Sequence, residues 1–506
     1  MDNSLIIGGK EIEKAPFTGK SQFYPGYHFT TSGAGALEVA LAIGNARAAE
    51  HCSPAEGREC LKRAAGLFTY TQESLEHTVV LTGMPIRLVE DLYRQIPHIL
   101  GELPGGLEKR FKSFGPGGIG LLEDLGAGRY KVLRRRAGFC YAVTPGSDPR
   151  AAALVAANLV ALGIPFVLRA SSRDAAASLT LKALLEAGLD PAFCSLIYLD
   201  PADPESNKLH FKLVDSATIL WTFGAEAVID PTLRYESHGP SNSLNLDGLE
   251  IDPTDPASLP AALSQISTHS LEQRLLQTEE LQDHFTGKTI LRHTAGNCAA
   301  ILYESLSAPL QPALYTSLGY PIVCTALRTM MAVEADRLPG QLAEYLAALK
   351  CGDPLDPETQ VGYINPRYLD QVEQLVQAYD SRLTFFGGQR LSPIQSTPLF
   401  VVGGGPAPEF FEKEIPAYVL AVRPCNSMPE AIERLNAFCS EPRLAVTLLG
   451  IPPEQRLEAV LDLNTHAVLV DQSTFTFTPL LHEGNDYCLA LTQGSLLTTQ
   501  AKQRTM

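Results

Sequence analysis

Residues 138–222 constrain this chain most, because there the apolar pattern switches repeatedly between two periods. FCYAVT at 139–144 reads as a buried strand, and AAALVAANLVALG at 151–163 as an apolar helix. PFVLRA is a strand, SLTLKALLEAG a helix, SLIYLD a strand and ATILW a further strand. Short β-rich runs separated by helices of about a dozen residues predict βαβ units and a parallel sheet. Gly163 and Gly188 stand just past the two helices, where the chain must leave the helical conformation. The expected fold class is α/β. Nucleotides bind such sheets outside the carboxyl ends of the strands.

The flanks have other patterns. Residues 33–103 carry apolar residues at helical spacing, in ALEVALAIGNARAAEHC and from Arg58 to Leu81. Pro54, two residues ahead of Glu56, marks a helix start. GPGGIG at 115–120 has the spacing G-x-G-x-x-G in Gly115, Gly117 and Gly120. The preceding RFKSF is too polar for the buried strand a dinucleotide fingerprint needs, so the cluster reads as a loop. Residues 231–270, rich in Pro, Ser, Asp and Asn, read as a surface insertion. A second α/β region spans 288–470, with TILRHTAGNCAAILYE, PIVCTALRTMMAV, RLTFFGG, AYVLAVRP and RLAVTLLG. The tail HAVLVDQSTFTFTPLLHEG alternates as an edge strand or an intersubunit arm would.

A chain of 506 residues is too long for one compact core and predicts two or three domains. Its net charge of −16 disfavours nonspecific binding to nucleic acid or anionic membrane, yet leaves room for a local basic pocket around a phosphate. MDNSLIIGGKEIEK lacks the basic-then-apolar order of a secretory signal. No uncharged apolar run of about 18 residues occurs, so no membrane span is expected. The ten cysteines form no CxxC pair, which argues against a structural zinc site. Reduced thiols in a cytoplasm fit this pattern, and no metal site is expected.

One of these cysteines draws chemical interest. Cys324 reads as a nucleophile opening a small-residue helix, where free N–H groups and the helix dipole favour a thiolate. A cysteine beside Ile322 and Val323 is, on local sequence alone, more often core filler.

Context widens the picture. Downstream of Cys324-Thr325-Ala326 come GDPLDPETQVGYIN (352–365), FFGGQRLSPIQSTPLFVV and EKEIPAYVLAVRPCNSMPEAIERLNA. Upstream come LTGMPIRLVEDL, GFCYAVTPGSDP and VLRASSRDA. In order and spacing these segments resemble the aldehyde dehydrogenase superfamily over about residues 30–480. The family's Gly-Gln before the cysteine is replaced here by Pro321 and Ile322, and its Phe-Gly-Pro after Glu414 is lost.

The resemblance implies a layout: a nucleotide-binding domain from 1–125 and 138–287, a catalytic domain from 288–465, and an oligomerisation arm from 126–137 and 466–506. It implies a homodimer or homotetramer. It makes Cys324 the nucleophile, with Ser147 in place of the oxyanion-hole asparagine. His293 stands where hydrolytic members have a glutamate base, and can act as a base near neutral pH or be structural. NADP or NAD is the implied cofactor. Thr144, Arg169, Ser171, Ser172, Trp221 and Gly224 fall on its binding segments, and Glu414 on the ribose-binding glutamate. The planar fork of Arg169 suits a 2′-phosphate, though a strand-end surface charge reads the same way. Glu414 reads equally as a solvated charge.

Three short matches, PGSDP, RASSRD and the tryptophan of WTFG, are similar to the acyl-CoA reductase branch that makes fatty aldehydes in bioluminescence. The implied function is NAD(P)H-dependent reduction of an acyl thioester such as acyl-CoA to an aldehyde. Oxidation of an aldehyde to an acid is the alternative, and a degenerate scaffold keeping the fold is a third reading.

Overall fold

The computed structural model of the chain describes residues 2–498 except 15, 50–52, 115–119, 125–128, 224–287, 294–297, 305–306, 308–310, 335–336, 404–406, 412–414, 438–442 and 477–486. Two seven-stranded sheets organise it. The first runs Thr289–His293, Ile219–Phe223, Cys140–Val143, Phe166–Arg169, Cys194–Ile197, Leu5–Ile7, Lys10–Ile12. Its first five strands are parallel, and the last two form an antiparallel hairpin at the edge. The second runs Thr384–Gly387, Leu399–Val402, Val419–Cys425, Leu327–Val333, Cys298–Tyr303, Arg443–Leu449, Thr465–Val470. It is parallel but for Thr384–Gly387.

The alternation read in 138–222 is the parallel part of the first sheet. Every residue of Cys140–Val143 and Cys194–Ile197 is buried, as strands covered on both faces must be. The helix Ala151–Ala161 is buried all round. Alanine at five of its first seven positions lets the flanking helices come close. Gly163 has φ +69°, and the amide of Ile164 donates to Leu159 O at 2.8 Å, which closes that helix end.

Four helices lie within and just beyond the segment expected to be helical: Ala36–Ala48, which packs on this sheet, and Pro54–Leu67, Gln72–Thr82 and Ile86–Arg110, which pack on the helices Ala151–Ala161 and Ala175–Glu186 and on one another. Ser53 and Glu56 cap the second reciprocally around Pro54. Gly57 faces the alanine-rich helix so closely that a Cβ would lie 2.1 Å from Val160 O. Alanine is intrinsically the better helix former, but a backbone oxygen cannot yield without parting the helices. Gly57→Ala is expected to lower stability by about 1–3 kcal/mol, read as a lower urea midpoint.

Two boundaries differ from the expected layout. Thr289–His293 pairs with Ile219–Phe223, so the first sheet runs past 288. Thr465–Val470, which overlaps the segment assigned to the arm, is the edge strand of the second sheet, one of the two readings of the tail. Instead Thr492–Thr498 pairs with Arg129–Arg135, within an antiparallel sheet completed by Gly120–Asp124 and Lys112–Phe114. Gly120 therefore opens a strand, whereas 115–119 of the glycine cluster and the insertion at 231–270 lie outside the described residues. No helix among the described residues is long and apolar enough to cross a membrane.

Candidate active site

The order of the first sheet reverses between Cys140–Val143 and Ile219–Phe223. From Cys140–Val143 the chain builds outward through Phe166–Arg169 to Cys194–Ile197, then crosses back to Ile219–Phe223 on the other side. Two consecutive loops run apart at that point, and open α/β sheets bind ligands there, in the crevice beyond the carboxyl ends of the strands. Thr144 lies at its floor, just beyond Val143, and its amide donates to Arg169 O at 3.0 Å. Its hydroxyl is buried and has no hydrogen-bond partner among the described residues. His293 ends the outer strand in register with Phe223, at the same sheet edge.

The next loop is drawn against the first. A Cβ on Gly146 would meet Ser171 Oγ at 2.5 Å, so glycine is required for the two loops to touch. Ser147, Ser171 and Ser172 are half-buried beside this contact. Arg169 is half-buried too, and its Nη1 lies 3.2 Å from His210 Nδ1, which also meets Tyr141 Oη at 2.8 Å. A buried hydroxyl at the floor, a glycine cradle and a fork of positive charge at one strand end suit a dinucleotide carrying phosphates. Among the described residues no cluster of His, Cys, Asp or Glu is placed to hold a metal.

Asp174, which the sequence reading passed over, closes the second loop. It caps the helix Ala175–Glu186 by accepting from Ala177 N at 3.2 Å. Complete burial pushes its carboxyl up to about 8, against the pull of the Ala177 and Ala176 amides. The folded value exceeds the unfolded one, so the neutral acid is the form the fold favours. Stability from this group is therefore full below about 4 and is lost as pH rises towards about 8. Asp174→Asn keeps the capping oxygen and removes the charge. It is expected to flatten a decline of a few kcal/mol across that window, followed by chemical denaturation at several pH values.

Cys324 needs a correction. It opens no helix. It sits in a pair of tight turns, with Val323 N donating to Tyr320 O and Ala326 N to Val323 O, and Leu327–Val333 follows as a strand. Every residue of LRTMMAV is buried between two parallel neighbours, so burial on both faces overrides the helix preference of Leu, Arg, Met and Ala. The helix dipole is therefore not available to its thiol. Cys324 is half-buried, and Cys298 Sγ lies 3.7 Å from its carbonyl oxygen.

Trp221 needs another. It is wholly enclosed, stacked along Phe223 and 4.7 Å from the Tyr487 ring, so it packs the core and offers no face to a cofactor. Gly224 and Glu414 lie outside the described residues.

The cysteine turn and the crevice belong to one body. Tyr320, Val323 and Ala326 join the buried cluster that holds Trp221, Phe475 and the first sheet. Tyr320 Oη donates to Thr82 O, and Thr474 Oγ1 to Thr325 O at 2.6 Å.

No protein-family model and no curated protein matches the sequence. Solved structures match along its whole length. The NAD-dependent aldehyde dehydrogenase from Sinorhizobium meliloti superposes with a TM-score of 0.73, covering 99% of this chain and 95% of its own at 15% identity. The salicylaldehyde dehydrogenase from Pseudomonas putida G7, complexed with salicylaldehyde, reaches 0.74 over 100% and 99% at 15% identity. The chain has the aldehyde dehydrogenase fold. An indole-3-acetaldehyde dehydrogenase complexed with NAD+ shares that fold at a TM-score of 0.71, 15% identity and coverage of 98% and 97%. Within the aldehyde dehydrogenase fold of this chain, Ala170 and the turn residues Tyr320, Val323 and Ala326 join one core, and Gly146 lies against Ser171.

Proposed function

We propose that the chain is an NAD(P)-dependent oxidoreductase that oxidises an aldehyde through a thioester on Cys324. The observation that carries this reading is the half-buried Cys324 turn, seated on the same buried cluster as the strands that floor the crevice. The neighbours of like fold act on aldehydes by name, and one of them was solved with NAD+.

On this reading the Cys324 thiolate attacks the aldehyde carbon, and the carbonyl oxygen becomes an oxyanion. The Ser147 hydroxyl and the Cys324 amide donate to it. When bound, the dinucleotide supplies the hydride acceptor. Arg169, Ser171, Ser172 and Thr144 hold its sugar and phosphate groups, with Gly224 and Glu414 assigned to it by sequence alone. His293 takes a proton from water, which attacks the thioester and releases the acid and the thiolate.

A second reading runs the chemistry in reverse, from an acyl thioester such as acyl-CoA to an aldehyde. It is favoured by His293 standing where hydrolytic members have a carboxylate base, since a thiol leaving group needs no activated water.

One experiment separates them. The protein is given an aliphatic or aromatic aldehyde with NAD+ or NADP+ and no thiol, and in parallel acyl-CoA with NADH or NADPH. Nicotinamide absorbance and intact mass are followed together. Oxidised aldehyde with an acyl adduct is the expected result. Turnover of acyl-CoA alone puts the chain on the second reading. No turnover and no adduct in either arm ends both and leaves a scaffold.

A further inference from the structure

Two side chains connect the Ser147 loop to the Cys324 turn through a third segment, 473–475. Arg150 is the first. Its Nε and Nη2 grip the Asp148 carboxylate at 3.0 and 2.7 Å, immediately beyond Ser147. Its own amide donates to the same carboxylate at 2.9 Å. Nη1 reaches Gln95 Oε1 at 2.9 Å and Phe475 O at 2.8 Å, and the guanidinium lies over the Phe475 ring. Thr474 is the second, donating to the carbonyl of Thr325, the residue after Cys324. Arg150 and Thr474 are both buried.

We propose that Arg150 and Thr474 form a clasp that sets the Ser147 hydroxyl at the position where oxyanion charge develops beside Cys324. The inference rests on the thioester reading above, and makes both side chains positioning residues. Three features support a clasp in place of simple packing. The bonds end next to the reacting residues, on the Thr325 carbonyl beside Cys324 and on the Asp148 carboxylate beside Ser147, so a shift at 474 is passed to the Cys324 turn. The bidentate Arg150–Asp148 pair fixes orientation as well as distance. The bridging segment comes from the far end of the chain, 325 residues from Arg150 and 149 from Thr325, so chain connectivity alone does not hold the two loops in register. Such alignment bears on the transition state more than on ground-state binding, because donors must meet the oxyanion and not the starting carbonyl.

Thr474→Val keeps the volume and loses the donor, and Thr474→Ser restores it. Arg150→Lys keeps the charge and loses the fork. Each is assayed below its melting temperature for kcat, KM and formation of the acyl adduct. Thr474→Val and Arg150→Lys are each expected to lower kcat about 10- to 100-fold with KM changing less than about threefold, the signature of misaligned groups. Thr474→Ser is expected to recover most of the loss. The double variant is expected to lose less than the product of the two, since either change already opens the clasp. Folded Thr474→Val, or folded Arg150→Lys if valine does not fold, with kcat within about twofold of the parent overturns the clasp. So does a serine variant as slow as valine. If the parent protein itself forms no adduct at Cys324, the thioester reading has failed, which is a separate outcome.

Discussion

Cys324→Ala is expected to reduce aldehyde turnover by roughly a thousandfold or more, because no other group in the turn can form the thioester. The acyl adduct seen by intact mass should vanish while the melting temperature stays near that of the parent, since a half-buried side chain loses only a sulfur atom. Cys298 is the informative control. Its sulfur lies next to the Cys324 carbonyl, but it is fully buried on the first residue of a central strand. A substrate cannot reach it without opening the sheet. Cys298→Ala should therefore keep the adduct. An adduct that survives in Cys324→Ala and disappears in Cys298→Ala would move the nucleophile to Cys298.

Trp221→Ala is expected to cost about 3–5 kcal/mol, the largest stability loss of any single change considered, because it empties a site enclosed by Phe223 and Tyr487. Trp221→Phe should cost clearly less and leave the KM for nucleotide unchanged. A rise in that KM with unchanged stability would return Trp221 to the binding surface. As the only tryptophan in the chain it also reports its own environment. Its emission should shift to longer wavelength as the first sheet unfolds, which gives a urea midpoint for that part of the molecule.

The parallel sheet was legible because its strands are short and mostly apolar, and two of the helices between them are followed by glycine. Gly163 and Gly188 both take positive φ, as their place after a helix requires. The cysteine turn was not legible. Leu, Arg, Met and Ala are strong helix formers, and only the flanking strands Cys298–Tyr303 and Val419–Cys425, distant in sequence, make 327–333 a strand. Trp221 misled for a related reason: an aromatic residue near a strand end looks the same in sequence whether it faces a ligand or Tyr487. Arg150 gave only the hint of an acid and a base two residues apart beside Ser147. Its partner at Phe475 could not be read, because nothing local in either segment announces the other.

The pairing of Thr492–Thr498 with Arg129–Arg135 has a consequence for how the molecule reaches its native state. Arg136 Nε bonds to Ala490 O across 354 residues of chain. A contact of such high order forms only after nearly all of the polypeptide is available, and the entropy of closing so large a loop opposes it until the two sheets are in place. The last strand is thus expected to dock late. Because 473–475 lie just ahead of it, a partly made chain would carry Cys324 in a turn without its Thr474 bond, and chemical competence would arrive with the final stage of folding.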